Sequence, residues 1–217
     1  MKRPLLIILA ILLADQVLKF WVKQNFYLGE STPIFGEGCT WAYLQFVENR
    51  GMAFGLEFGG TAGKMALTLF RMAALAGIGW LLYRAVKEKR SAAMEISLAL
   101  VFAGALGNII DSAFYGLIFD ASTPFHKAVL FPADGGYAPF LHGAVVDMFY
   151  FPLVHGRFPQ WMPIWGGQEY EFFRPVFNLA DAAISVGIVL VVLLQRKHAP
   201  APDHELTYVR AVSKDKP

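Results

Sequence analysis

Two carboxylates stand where a negative charge is costly. Asp147 lies in AVVDMFYF, between Val145, Val146, Met148 and Phe149, and Asp181 lies in the apolar run FNLADAAISVG. A carboxyl among such neighbours resists ionising. Two of them held close together cannot both ionise, so one keeps a proton. One can then act as base toward a water while the other acts as acid toward a carbonyl oxygen. This is the chemistry of aspartic proteases. Spacing alone does not bring Asp147 and Asp181 together, and Asp or Asn side chains can also serve simply as hydrogen-bonding glue between helices. Other hydrolytic signatures are missing. There is no G-x-S-x-G and no H-E-x-x-H, the elbow and metal motifs of common hydrolases. The lone Cys39 has no histidine near it in sequence, and His126, His142, His155, His198 and His204 are scattered. No spacing suits a metal site, and the glycines form no phosphate-cradling loop. No metal and no cofactor are expected.

Further polar residues fall inside apolar stretches. Asp15 and Lys19 are four apart in DQVLK, which places them on one helical face as a pair. Their expected role is structural. Asn108 and Asp111 close one apolar run, Asn178 and Asp181 open another, and Arg71 sits within a third. Arg71 either snorkels to the membrane surface or faces an acidic or phosphate-bearing ligand.

The elements that must position these residues are membrane helices. Hydrophobic residues make up 56% of the chain and charged ones 17%, with a mean hydropathy of +0.44. The apolar residues come in blocks near the ~20 residues that a bilayer span needs. Spans are expected over about 4–22, 64–83, 92–110 and 176–194. The fold class is a membrane all-α bundle of four transmembrane helices with a small extracytoplasmic β-rich segment. The first span is read as a retained helix rather than a cleaved leader, because Asp15 interrupts it and no small-residue cleavage site follows. Residues 1–197 form one integral membrane domain, and 198–217 form a mobile cytoplasmic tail. The net charge of +2, without a basic stripe, gives no footprint for nucleic acid.

Basic residues set the orientation. Lys2 and Arg3 precede the first span, Arg84, Lys87, Lys89 and Arg90 join the second to the third, and Arg196 and Lys197 follow the fourth. These lie on one side only if both termini are cytoplasmic. The segments of about 23–63 and 111–175 are then extracytoplasmic. Residues 40–56 read as a short hairpin or small sheet, with turn residues at Asn49, Arg50 and Gly51. Trp161, Trp165, Tyr170, Phe172 and Phe173 suit the headgroup region. With the helices alternating in direction, Asp15, Lys19, Arg71, Asn108, Asp111, Asn178 and Asp181 all fall in the outer half. Arg71 lies roughly 20 Å from the cytoplasmic end at 1.5 Å per residue.

Five stretches, in order, resemble the bacterial lipoprotein signal peptidases, or signal peptidase II: DQVLK (15–19), NRGMAFG (49–55), GNIID (107–111), VVDMF (145–149) and FNLADAAISVG (177–187). The resemblance covers most of the chain between residues 4 and 195. It implies an aspartic endopeptidase that removes signal peptides from diacylglyceryl-modified prolipoproteins by cleaving before the lipidated cysteine. Its catalytic positions correspond to Asp147 and Asp181. Its supporting or substrate-contacting positions correspond to Asn49, Asn108, Asp111 and Asn178, and Arg71 joins them as a candidate. Two departures stand out. The family commonly has Arg directly after GNxxD, where this chain has Ser112, so a cationic contact is missing or supplied by Arg71 or Arg50. A long Pro/Gly-rich connection also separates Asp111 from Asp147, where the family has a short one. The resemblance implies a multi-pass enzyme of the bacterial inner membrane, with a prolipoprotein substrate and membrane lipids as partners, and a monomer is expected. Thr40–Leu56 is expected to hold the substrate extended by strand addition. The rivals are a small proton-coupled transporter using the intramembrane Asp and Lys, and a non-catalytic membrane scaffold.

Overall fold

The computed structural model describes residues 2–51, 60–172 and 175–197. Helix α1 (Lys2–Asn25) leads into strands β1 (Ser31–Pro33) and β2 (Tyr43–Asn49). Helices α2 (Gly60–Lys87) and α3 (Ala92–Ile110) follow. A π-helical turn (Asp111–Tyr115) then continues α3 into the short α4 (Gly116–Ile118). After a long irregular segment come β3 (Val145–Tyr150), the antiparallel pair β4 (Val154–Arg157) and β5 (Glu169–Phe172), and helix α5 (Leu179–Lys197).

Among the described residues, three helical stretches are long and apolar enough to cross a membrane: Lys2–Asn25, Gly63–Lys87 and Ala92–Ile118. The apolar helix Leu179–Leu194 is shorter. Leu6, Leu9, Leu13 and Val17 stand exposed along one side of α1, and Val186, Val189 and Leu193 along α5. Apolar stripes of this extent need a nonaqueous partner, and a bilayer provides it.

Helix α3 is the central member, packed against α1, α2 and α5. Its contact with α5 depends on small residues, which let two backbones approach closely. A Cβ on Gly104 would lie 2.2 Å from the Ala180 carbonyl oxygen, and one on Gly187 would lie 2.7 Å from that of Ser97. Gly104→Ala therefore forces the two helices apart. The expected cost is about 1–3 kcal/mol, read as a lowered unfolding temperature in detergent. A variant as stable as the parent would show that the contact is looser than this.

The helix boundaries differ from the sequence expectation at two points that matter for the site. The third span runs on past Ile110 to Ile118. Its widened turn is held by the Ser112 hydroxyl, which donates to the Asn108 carbonyl at 3.0 Å, and by Gly143 N–H, which donates to the Ser112 carbonyl at 2.8 Å. The fourth helix starts at Leu179 rather than Val176, because Phe177 is extended and paired with Phe149.

The predicted sheet within 40–56 forms, but not as a local hairpin. β2 is the middle strand of an antiparallel sheet in the order β1-β2-β3. With β1 on one side and β3 on the other, no edge remains for an added strand along Tyr43–Gln45. The turn begins where expected: Gly51 has a φ of +95°, and its N–H donates to Asn49 Oδ1 at 2.9 Å. Residues 52–56 and the tail 198–217 lie outside the described residues, as does Phe173. The apolar core gathers at one end of the bundle, where Val22 and Phe26 of α1 meet Phe46, Tyr115, Phe119, Val146 and Met148.

Candidate active site

Asp147 and Asp181 reach one place because β3 runs beside the chain that leads into α5. Phe149 N–H donates to the Phe177 carbonyl at 2.7 Å, and Phe177 N–H returns the bond at 3.0 Å. One residue later Asn178 caps α5. Its Oδ1 accepts from Asp181 N–H at 2.8 Å, the usual duty of an Asn before a first helical turn. The same side chain binds the other carboxylate, its Nδ2 donating to Asp147 Oδ1 at 2.7 Å and to Asn108 Oδ1 at 3.1 Å. Asn108 in turn donates from Nδ2 to Asp181 Oδ1 at 2.8 Å. Two linked amides thus hold two carboxylates, one from a strand and one from a helix. Asn49, across the sheet from Val145, lies on the same face as Asp147, and its side chain favours the charged form of that carboxyl.

Asp147 is 4% exposed. Burial pushes its carboxyl up to about 7, the charge of Asp181 pushes the same way, and Lys19, Asn178 and Asn49 oppose. Near neutral pH a proton is therefore at hand on this strand. Arg71 of α2 is half-buried, and its guanidinium feels Asp181, Asp147 and Asp111. Ser112 is buried and bonded to backbone. A side chain there points into the protein, so the position offers no cationic contact in this chain.

Asp15 and Lys19 pair at 2.9 Å as their spacing predicts, and Lys19 also reaches Asp111 at 2.8 Å and Asn108 Oδ1 at 3.0 Å. Asp15 Oδ1 accepts from Ala180 N–H at 2.9 Å, so α1 holds the start of α5. Asp111 Oδ2 accepts from Val146 N–H at 3.3 Å, which ties the end of α3 to β3. Among the described residues, every fully buried side-chain nitrogen or oxygen has a partner. A complete network of this kind fixes one geometry.

Two groups of residues escaped the sequence reading. Gln16 donates to Asp111 Oδ1 at 2.9 Å and accepts from the Tyr115 hydroxyl at 3.2 Å. Nothing in the helical period would have placed it beside Asp15, since neighbouring positions point apart. Lys23 is buried in a second cluster with Glu48 and Ser122. Here a signal existed, because Asp15, Lys19 and Lys23 repeat every four residues along one face.

The chain is similar to known proteins of one family. The sequence profile of the family described as signal peptidase (SPase) II matches residues 7–196. A lipoprotein signal peptidase of Porphyromonas gingivalis is 47% identical over 188 residues, 86% of this chain and 80% of that one. Another, from Amoebophilus asiaticus, is 39% identical over 198 residues, 90% of this chain and 79% of that one. A bacterial membrane enzyme solved by the in meso method at 1.9 Å resolution overlays with a TM-score of 0.55 at 22% identity, covering 92% of this chain and 96% of its own. At that identity the structural likeness concerns the fold. A transporter finds no support among these matches.

Proposed function

The chain belongs to the signal peptidase II family, a family of proteases, and on that premise we propose that Asp147 and Asp181 are its catalytic pair. The observation that carries this reading is the amide bridge. Asn178 and Asn108 each bind one carboxylate and bind each other, while Asp147 is pushed up to about 7. One carboxylate of the pair takes a proton from water, and the resulting hydroxide adds to the scissile carbonyl carbon. The other carboxyl, protonated, gives its proton to the carbonyl oxygen. In the second step the carboxyl that took water's proton passes it to the peptide nitrogen, the C–N bond breaks, and one hydroxyl of the tetrahedral carbon returns its proton to the other carboxylate as the new carboxyl forms. Arg71 offsets negative charge that gathers at the pair.

The substrate in this reading is a prolipoprotein bearing a diacylglyceryl-modified cysteine, cut just before that residue. The enzyme is a monomer with four spans, α5 being the fourth, set in the inner membrane with its acyl-chain neighbours supplied by lipid. The basic residues Arg84, Lys87, Lys89 and Arg90 lie at the end of α2 and the turn into α3, away from the pair. Positive charge marks the cytoplasmic side, so the site and the small sheet face outward. The test is to incubate the purified full chain with a diacylglyceryl-modified precursor peptide and its unlipidated twin. Cleavage before the modified cysteine, with the twin intact, is expected. No cleavage beside an active control peptidase would count against the reading.

The pair also predicts a pH profile. Activity needs one proton shared between two carboxyls, so kcat/KM is bell-shaped. Its alkaline limb reports loss of that shared proton, and its midpoint is expected within about one unit of neutrality, where burial holds the Asp147 carboxyl. A rate flat from weak acid to weak base would contradict the assignment.

A further inference from the structure

The segment between α4 and β3 has no role in the chemistry above, yet it closes a buried polar cluster. Lys23 of α1 is 0% exposed, and Glu48 and Ser122 are nearly as deep. Lys23 pairs with Glu48 and donates to the Ser122 hydroxyl at 2.9 Å, and that hydroxyl donates to Glu48 Oε1 at 2.8 Å. Aromatic rings of Tyr137, Phe119 and Phe46 lie 5.0, 5.2 and 6.0 Å from the ammonium. Ser122, Phe119 and Tyr137 all come from the segment after α4. Leu28 N–H bonds the Thr123 carbonyl at 3.1 Å, which fastens the same segment to the end of α1.

A buried ion pair is weak evidence for stability, since its desolvation offsets most of its attraction. Its place in the sheet suggests another use. Glu48 immediately precedes Asn49, which shares a face of the sheet with Asp147 and favours the charged form of that carboxyl. Successive residues of a strand point to opposite faces, so Glu48 meets the clamp while Asn49 meets the site. Between Leu44 and Val47 the β2–β3 register slips, because Leu44 is opposite Phe149 and Val47 is opposite Asp147. One extra residue on β2 makes a bulge, where the ladder is locally broken. Beyond that bulge β2 pairs again with β3 at Val47, Glu48 and Asn49, and the clamp grips the same stretch through Glu48.

We propose that Lys23, Glu48 and Ser122 are positioning residues for peptide cleavage, and that the segment after α4 serves to close this clamp so that Asn49 stays against Asp147. The inference rests on the catalytic reading of Asp147 and Asp181. Asp147 is also faced by Asp181 and Asn178 from the α5 side, Lys19 from α1 and Arg71 from α2, with Asp111 one residue away through Val146 N–H. Those groups are unchanged in the clamp variants.

The experiment measures kcat, KM and the pH profile on a diacylated precursor peptide with the full chain. It compares the parent, Ser122→Ala, the double variant Lys23→Met/Glu48→Gln, and Asp147→Asn. The double variant leaves no buried charge uncompensated, so folding survives. Expected for both clamp variants is a kcat lowered about tenfold with KM within about twofold. The alkaline limb should also move up by about half a unit, because a donor to the charged form of Asp147 is loosened. A merely structural cluster would change unfolding temperature without moving that limb. Parental kcat and limb in the folded double variant, with Asp147→Asn inactive, would overturn the clamp and leave the pair standing. An active Asp147→Asn would overturn the pair and the clamp with it.

Discussion

Asp147→Asn is expected to insert, fold and lose peptide cleavage by about a thousandfold or more, and Asp181→Asn likewise, because the pair acts as a unit. Folding survives at position 147 since the new amide oxygen can still accept from Asn178, which now donates to Asp147 Oδ1 at 2.7 Å. The same substitution has an opposite effect on stability. The Asp147 carboxyl rises from 3.8 to about 7 on folding, first through burial and then through the charge of Asp181. A carboxyl raised in this way binds its proton more tightly in the folded state. Its contribution is complete below the unfolded value near 4 and is lost as pH climbs through about 7. An amide carries no such penalty. Asp147→Asn should therefore unfold at a higher temperature than the parent above neutral pH, by up to a few kcal/mol, and differ little at pH 4. Thermal scans at the two pH values check this. An active variant, or one less stable than the parent at high pH, contradicts the placement of Asp147.

Lys19→Met should have the largest effect on folding. Lys19 is fully buried and lies 2.9 Å from Asp15, 2.8 Å from Asp111 and 3.0 Å from Asn108 Oδ1. Removing the ammonium leaves two buried carboxylates facing each other. Breaking a buried pair from one side costs about 3–5 kcal/mol. The loss spreads to the site, because Asn108 holds Asp181 and Asp15 holds the first turn of α5. Size-exclusion profiles and unfolding temperatures are the readout. Adding Asp111→Asn to Lys19→Met should recover part of the stability, since one uncompensated charge is then gone. Parental stability in Lys19→Met, or no recovery in the double variant, would show that the network is not centred on this lysine.

How far the sequence reveals the site follows from which contacts are local. Asn108, Asp111, Asn178 and Asp181 are legible because helix direction alone brings span ends to one level. Asp15 and Lys19 are legible from a spacing of four. Asp147 stands out by its apolar neighbours, yet its strand does not, because VVDMFY lacks the alternation that marks a half-buried strand. β3 is instead covered on both sides, and four of its six residues are buried. What joins Asp147 to Asp181 is the Phe149–Phe177 pairing, a contact between distant segments that no periodicity encodes. The wrong start for the fourth helix has the same origin, since that pairing holds Phe177 extended. The continuation of α3 past Ile110 was hidden because its partners, such as Gly143, lie in a segment without regular pattern. β2 was legible as a strand, but its neighbours β1 and β3 were not.

The central claim is that Asp147 and Asp181 share one reacting centre. The most direct measurement is an experimental structure with a lipidated peptide whose scissile carbonyl is replaced by a hydroxyl-bearing carbon. The expected result is one hydroxyl within about 3.2 Å of an oxygen of each carboxylate. A hydroxyl bound by neither, or carboxylates too far apart to share a single water, would contradict it.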